Sequence, residues 1–278
     1  MSHNGSRLVK KPGIIILAAL TALFVTACSH KDDTYGVFLS YEGDLEKLSA
    51  YDTVVIDAQF FDKKAIESFR SGGHKVYSYI NVGSVETFRD YYDEYLDLTL
   101  GDYEHWDEEK WIDVSSAQWQ DFVLETLAPE LLDKGVDGFF VDNCDVYYQY
   151  PTDEILEGLA VIMKGLTSTG ADVVINGGDS FMDAYTAGGG RADEVITGIN
   201  QESVFTGIDW DTGEFVESTA NNMSYFKNYI EKYSSQGIDI YLLEYTKDPL
   251  LSAKIKSYCT RHNYKYYISS SLELGYTD

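Results

Sequence analysis

Apolar and polar positions along the chain fall into short β-type runs separated by stretches with helical spacing. The β-type runs are Gly36–Tyr41, Thr53–Gln59, Lys75–Gly83, Asp137–Asn143, Asp172–Gly178, Glu194–Glu202, Asp239–Thr246 and Lys265–Ser271. Helical spacing covers Asp44–Ala50, Asp62–Ser71, Ser116–Asp133, Asp153–Ser168, Ser180–Ala187, Ala220–Ser235 and Pro249–His262. Ser115 and Ser116 stand where a helix start is expected, and Lys134-Gly135 and Gln236-Gly237 where helices stop. Runs such as Phe139-Phe140-Val141 are apolar at consecutive positions, as in a strand covered on both faces. Eight β–α alternations predict an α/β protein with a single (β/α)8 TIM barrel, its eighth helix short or absent. Two long departures, Ser84–Ser115 and Ser203–Thr219, follow strands. They belong to the carboxyl rim, where barrel folds place their chemistry, and are expected to wall a cleft.

The polar residues ending these runs carry the functional signal. They are Asp57 after the second strand, Asn81 after the third, and Asp142, Asn143 and Asp145 after the fourth. Asn176 follows the fifth, Glu202 the sixth, and Glu244 with Tyr245 the seventh. Any single one is explained equally well as a cap or loop closure; the set is hard to explain by packing. Asp142, at the abrupt end of Asp137-Gly-Phe-Phe-Val-Asp-Asn-Cys-Asp145, is read as one half of a catalytic carboxylate pair. Asp137, Asp172 and Asp239 precede their strands and are expected at the opposite rim, as turn or cap residues.

Several chemistries lack their residues. None of the five histidines ends a strand, which argues against a histidine-bound metal. There is no Gly-x-Ser-x-Gly elbow and no phosphate-cradling glycine pattern. No cofactor and no metal are expected. What remains is a rim of acids, amides and aromatics, with 23 tyrosines in the chain, most of them packing residues. Glycoside hydrolysis needs only two carboxyl groups, and aromatic faces stack on sugar rings.

The first residues stand apart. Arg7, Lys10 and Lys11 precede the apolar run Ile14–Phe24, which is short for a span and reads as a secretory signal. Small residues directly before Cys28 resemble a bacterial lipobox, so residues 1–27 are expected to be removed and Cys28 lipidated. Residues 28–34 form a tether to a glycosidase domain over 35–278. The expected location is the bacterial cell envelope, on its extracytoplasmic side, with membrane contact only through the lipid. Losing three basic residues and no acid takes the formal charge from −25 to −28. Such a surface repels nucleic acid and suits a cationic partner. Cys144 and Cys259 are expected as buried free thiols, and the protein as a monomer.

Tyr51-Asp-Thr-Val-Val-Ile-Asp57, Val76-Tyr-Ser-Tyr-Ile-Asn-Val-Gly83, Asp137–Asp145, Asn176-Gly177 and Glu202-Ser-Val-Phe205 together resemble glycoside hydrolase family 114, the endo-α-1,4-polygalactosaminidase-like barrels. The similarity covers roughly residues 35–271. It implies a two-carboxylate glycosidase with Asp142 and Glu202 as the catalytic acids, and an amino-sugar polymer as substrate. By analogy with other α-glycosidase barrels Asp142 is the nucleophile and Glu202 the acid/base, the reverse assignment remaining open. Asp57, Asn81, Asp145, Asn176 and Tyr245 match sugar-site positions; Asn143 and Glu244 are counted with them. Two departures fall on this rim. Ser84 stands where the family has an acid, and Glu244 replaces an aspartate. The alternative is a carbohydrate-binding lipoprotein without turnover on the same barrel.

Overall fold

The computed structural model describes residues 34–104 and 106–276; the signal and Cys28 lie outside them. Eight parallel strands form the central sheet: β1 (Tyr35–Phe38), β2 (Thr53–Ile56), β3 (Lys75–Asn81), β4 (Gly138–Asp142), β5 (Asp172–Asn176), β6 (Gly198–Glu202), β7 (Asp239–Tyr245) and β8 (Lys265–Ser269). Hydrogen-bonded ladders run through them in chain order, and the sheet curls into a nearly closed barrel. Phe38 of β1 meets Tyr267 of β8 at a ring separation of 5.3 Å across the seam.

Strand side chains alternate between two cores. Tyr35, Tyr77, Tyr79, Phe140, Tyr241 and Tyr245 are among those filling the barrel interior. The other face of each strand joins a larger core beneath the helices, containing Val54, Ile80, Phe139, Val141 and Leu242. A tyrosine-rich interior needs partners for its phenols. Tyr77 donates to Asp172 at 2.8 Å near the amino rim, while Tyr35 donates to Asn200 at 3.1 Å.

Local chemistry sets the helix boundaries. Asp62, Thr152, Thr219 and Asp248 cap the helices Lys63–Ser71, Asp153–Ser168, Ala220–Ser234 and Pro249–His262, each accepting from a first-turn N–H. The long helix from Ala117 to Asp133 opens into a π-turn at Val123–Leu127, just before Pro129, which has no N–H to give to the regular ladder. The first crossover is weaker than expected: Asp44–Ala50 yields a single 3-10 turn at Leu45–Leu48. Residues 270–276 contain no helix, and the central residues of β8 are only partly buried.

Both departures are folded. The first is a three-stranded antiparallel sheet with Glu109–Ile112 between Ser84–Glu86 and Thr99–Asp102. The second is the hairpin Thr206–Asp209/Glu214–Glu217. Arg70 pairs with Asp137 and Lys75 with Asp172, so the acids just before β4 and at the start of β5 serve the amino rim. Cys144 and Cys259 are both buried and free.

Candidate active site

Asp142 ends β4 and Glu202 ends β6. Between them β5 ends in Asn176, whose amide reaches both. Asn176 Nδ2 donates to Asp142 Oδ1 at 3.0 Å and to Glu202 Oε1 at 2.8 Å. An amide nitrogen carries two hydrogens, so both are committed. With two bonds from one atom, these carboxylate oxygens stand no further apart than about 5.8 Å. The amide is itself oriented: Asn176 Oδ1 accepts from Asn200 Nδ2 at 2.7 Å, and Asn200 Oδ1 accepts from the Tyr35 phenol. Tyr245 donates to the second oxygen of Glu202 at 2.7 Å. The Tyr79 phenol and the Asn143 backbone N–H near Asp142 also pull its pKa down.

Burial raises both acids above the ordinary carboxylate range, against the pull of their donors. The negative charge of Asp142 pushes Glu202 up further. Asp145 is pushed up to about 7, first by burial and then by Asp179, Asp142 and Glu202. It sits against Gly177 and Gly178, two residues at φ 63° and 67°; a Cβ on Gly177 would stand 3.3 Å from Asp145 Oδ2.

A further carboxylate reaches the site from the first departure. Glu109 Oε2 accepts from Ser84 Oγ at 2.6 Å, from Asn143 Nδ2 at 3.2 Å and, more distantly, from Asn81 Nδ2 at 3.5 Å. Burial, then Glu86 and Asp142, push it up to about 7 against these donors. Asn143 adopts φ 65°, a left-handed conformation that asparagine tolerates. Gly83 makes the approach possible, because a Cβ there would lie 1.8 Å from the Asn143 carbonyl oxygen.

These groups line a cleft of about 930 Å³. Among the described residues lining it, ten are acids and one, Arg89, is a cation. Arg89 is already engaged, with Nη1 2.7 Å from Asp57 Oδ2 and Nη2 3.0 Å from Glu86 Oε1, all three side chains buried. Phe60, Phe88, Trp106 and Trp210 stand around the cleft with 47–54% of their surface exposed.

Asp142, Glu202, Asp57, Asn143, Asp145, Asn176 and Tyr245 therefore gather in one cleft. Asp57 is neutralised there by Arg89. Two expected sugar ligands are placed elsewhere. Asn81 is 2% exposed and lies beneath Ser84 and Glu109. Glu244 follows Leu243 and precedes Tyr245, both in the barrel interior, so strand alternation turns it outward. Its carboxylate accepts from the N–H groups of Phe205 and Thr206 and from Thr206 Oγ1, at 2.7–3.1 Å. Glu109, Arg89 and Asn200 were not found by their position in the sequence. Asn200 alone left a signal: it lies two residues before Glu202 and so shares its face.

The fold resembles that of several solved glycoside hydrolases. The glycoside hydrolase domain of PelA from Pseudomonas aeruginosa superposes with a TM-score of 0.70 at 18% identity, over 87% of this chain and 96% of that one. Aspergillus fumigatus Ega3, solved with galactosamine, gives 0.68 at 17% identity, over 88% and 93%. Eubacterium rectale Amy13B gives 0.57 at 13%, over 86% and 66%. No curated protein sequence matches the chain. The model of glycoside-hydrolase family GH114 matches residues 23–175, more than half of the chain. The protein belongs to that family and is a glycoside hydrolase.

Proposed function

We propose that the protein is an endo-acting, retaining glycosidase of α-1,4-linked, galactosamine-containing polysaccharide. The observation that carries the mechanism is the Asn176 amide shared by Asp142 and Glu202. Two carboxylates bridged by one nitrogen suit the ~5–5.5 Å separation of retaining enzymes better than the ~6.5–9.5 Å of inverting ones. Asp142 is assigned as the nucleophile by analogy with other α-glycosidase barrels, and the Asn176 amide that it accepts favours its anion. Its charge helps keep the proton on Glu202, the general acid.

In the first step Asp142 attacks the anomeric carbon while the glycosidic oxygen leaves with the proton of Glu202. In the second, the Glu202 carboxylate takes a proton from water, whose oxygen displaces Asp142 from the same carbon. The acid-lined cleft supports a polymer bearing ammonium groups. The galactosamine bound to the structurally similar Ega3 is consistent with that class. The lipobox-like stretch before Cys28 supports an extracytoplasmic site of action on a lipid anchor.

The test is product release from partially de-acetylated poly-galactosamine by residues 35–278. Wild type is expected to release oligosaccharides of retained configuration with or without chelator, and Asp142→Asn and Glu202→Gln to release none. Binding without release by wild type would favour a carbohydrate-binding protein instead. An inverted product would remove Asp142 as nucleophile.

A further inference from the structure

We propose that Glu109 determines specificity in this cleft by receiving the ammonium group of an amino sugar bound beside Asp142. The inference rests on the glycosidase reading and adds a residue to it.

Three side chains converge on one oxygen of Glu109. Ser84 Oγ, Asn143 Nδ2 and Asn81 Nδ2 all donate to Oε2, and among the described residues Oε1 has no hydrogen-bond partner. Oε1 is also absent from the buried unsatisfied atoms, so it keeps access to solvent, and Glu109 lines the cleft. A carboxylate held by one oxygen is fixed in position and keeps the lone pairs of the other for a ligand. Its support is elaborate. Ser84 receives Asn81 Nδ2 at 2.7 Å and Asn143 Nδ2 at 2.9 Å, and the Ser84 N–H donates to Asn81 Oδ1 at 2.9 Å. Tyr103 completes the frame, donating to Asn143 Oδ1 at 3.2 Å while its ring stacks on Trp111 at 4.1 Å.

Position and charge indicate the ligand. Asn143, which holds Glu109, follows Asp142, and the Asp142 charge acts on Glu109, so this carboxyl group stands near the subsite proposed for the reacting sugar. Asp57 and Glu86, other acids on this side of the cleft, are paired with Arg89. Glu109 has no cation partner among the described residues. A half-buried carboxylate without a counter-ion is costly unless its ligand brings one, and an ammonium group supplies both charge and donors. An acetamido group offers one neutral N–H and the bulk of an acetyl, and a hydroxyl offers no charge.

The test compares binding of galactosamine, N-acetylgalactosamine and galactose oligosaccharides to wild type and Glu109→Gln by calorimetry, with kcat and KM on the polymer. Wild type is expected to prefer the amine form. Glu109→Gln, nearly isosteric, is expected to reduce that preference by about tenfold, through KM rather than kcat, and to leave the acetylated ligand unchanged. Equal weakening toward all three ligands would mark a structural residue and overturn the inference. So would a wild type that binds the three alike, a result that does not depend on the variant folding. Wild type that binds the amine form but cleaves nothing would overturn the proposed reaction, with the binding ratio still deciding Glu109. A wild type that binds no galactosamine would overturn both.

Discussion

Asn200 fixes which way Asn176 faces. Its Nδ2 donates to Asn176 Oδ1 at 2.7 Å, so the Asn176 nitrogen can only point toward Asp142 and Glu202. A flipped amide would set an oxygen against two carboxylates. The spacing of the proposed catalytic pair thus depends on a residue one turn of the pleat deeper, which is in turn held by Tyr35. Asn200→Leu is expected to leave substrate affinity nearly unchanged and to lower kcat by about tenfold, equivalent to roughly 1.4 kcal/mol of transition-state stabilisation. Steady-state kinetics on a soluble oligosaccharide check this. An effect confined to KM would show that Asn200 acts on substrate placement instead.

In the proposed mechanism Tyr245 tunes the proton that Glu202 delivers. Its phenol donates to Glu202 Oε2 and favours the carboxylate, opposing the upward push of burial. Tyr245→Phe removes that donor, so the Glu202 pKa rises further and its proton is lost at higher pH. The alkaline limb of kcat/KM is expected to move up by about one unit, since a hydrogen bond to a charged group is worth roughly 1.5–3 kcal/mol and solvent recovers part of it. A limb that stays in place would mean that another group sets it.

Trp106 and Trp210 line the cleft while remaining half-exposed, so they add little to the core. In the proposed polymer-cleaving enzyme, such residues would stack on sugar rings away from the cleavage point. Alanine at either position is expected to raise KM several-fold on long chains, about 1 kcal/mol, with little change on a short aryl glycoside. Thermal stability should be nearly unaffected. Equal losses on both substrates would place the tryptophan at the reacting sugar.

The barrel was legible because each buried strand is an apolar run ending in a polar residue, and eight such runs leave few architectures. Asp142, Asn176 and Glu202 were legible for the same reason: they terminate neighbouring strands. Glu109 and Arg89 were not, because the antiparallel excursion brings them back over the rim and no periodicity announces where its residues return. Ser84 gave a partial hint, standing as a short hydroxyl where the family's pattern has an acid; in the structure that hydroxyl donates to Glu109. Glu244 was misplaced although alternation was available. Tyr245 occupies the barrel interior, so its neighbour must face the helices.

That outward position gives Glu244 a stability role with a characteristic pH dependence. Its carboxyl group anchors Phe205 and Thr206, where the chain leaves β6 for the hairpin. Burial is the largest influence and pushes its pKa up to about 7, although Thr206 and Phe205 pull the other way. With the folded value above the ordinary 4.5, the folded state holds the proton more tightly than the unfolded chain. The contribution of Glu244 is therefore greatest below about 4.5 and declines as pH rises toward 7, by on the order of 3 kcal/mol. Glu244→Ala leaves backbone donors unmatched and opens a cavity, a loss of about 3 kcal/mol at pH 5. The gap to wild type is expected to narrow as pH rises to 8, because wild type then bears the buried charge and the variant does not. Urea unfolding at the two pH values measures it. A gap that stays constant or widens would mean that Glu244 ionises in the ordinary range and is held by its donors as an anion throughout.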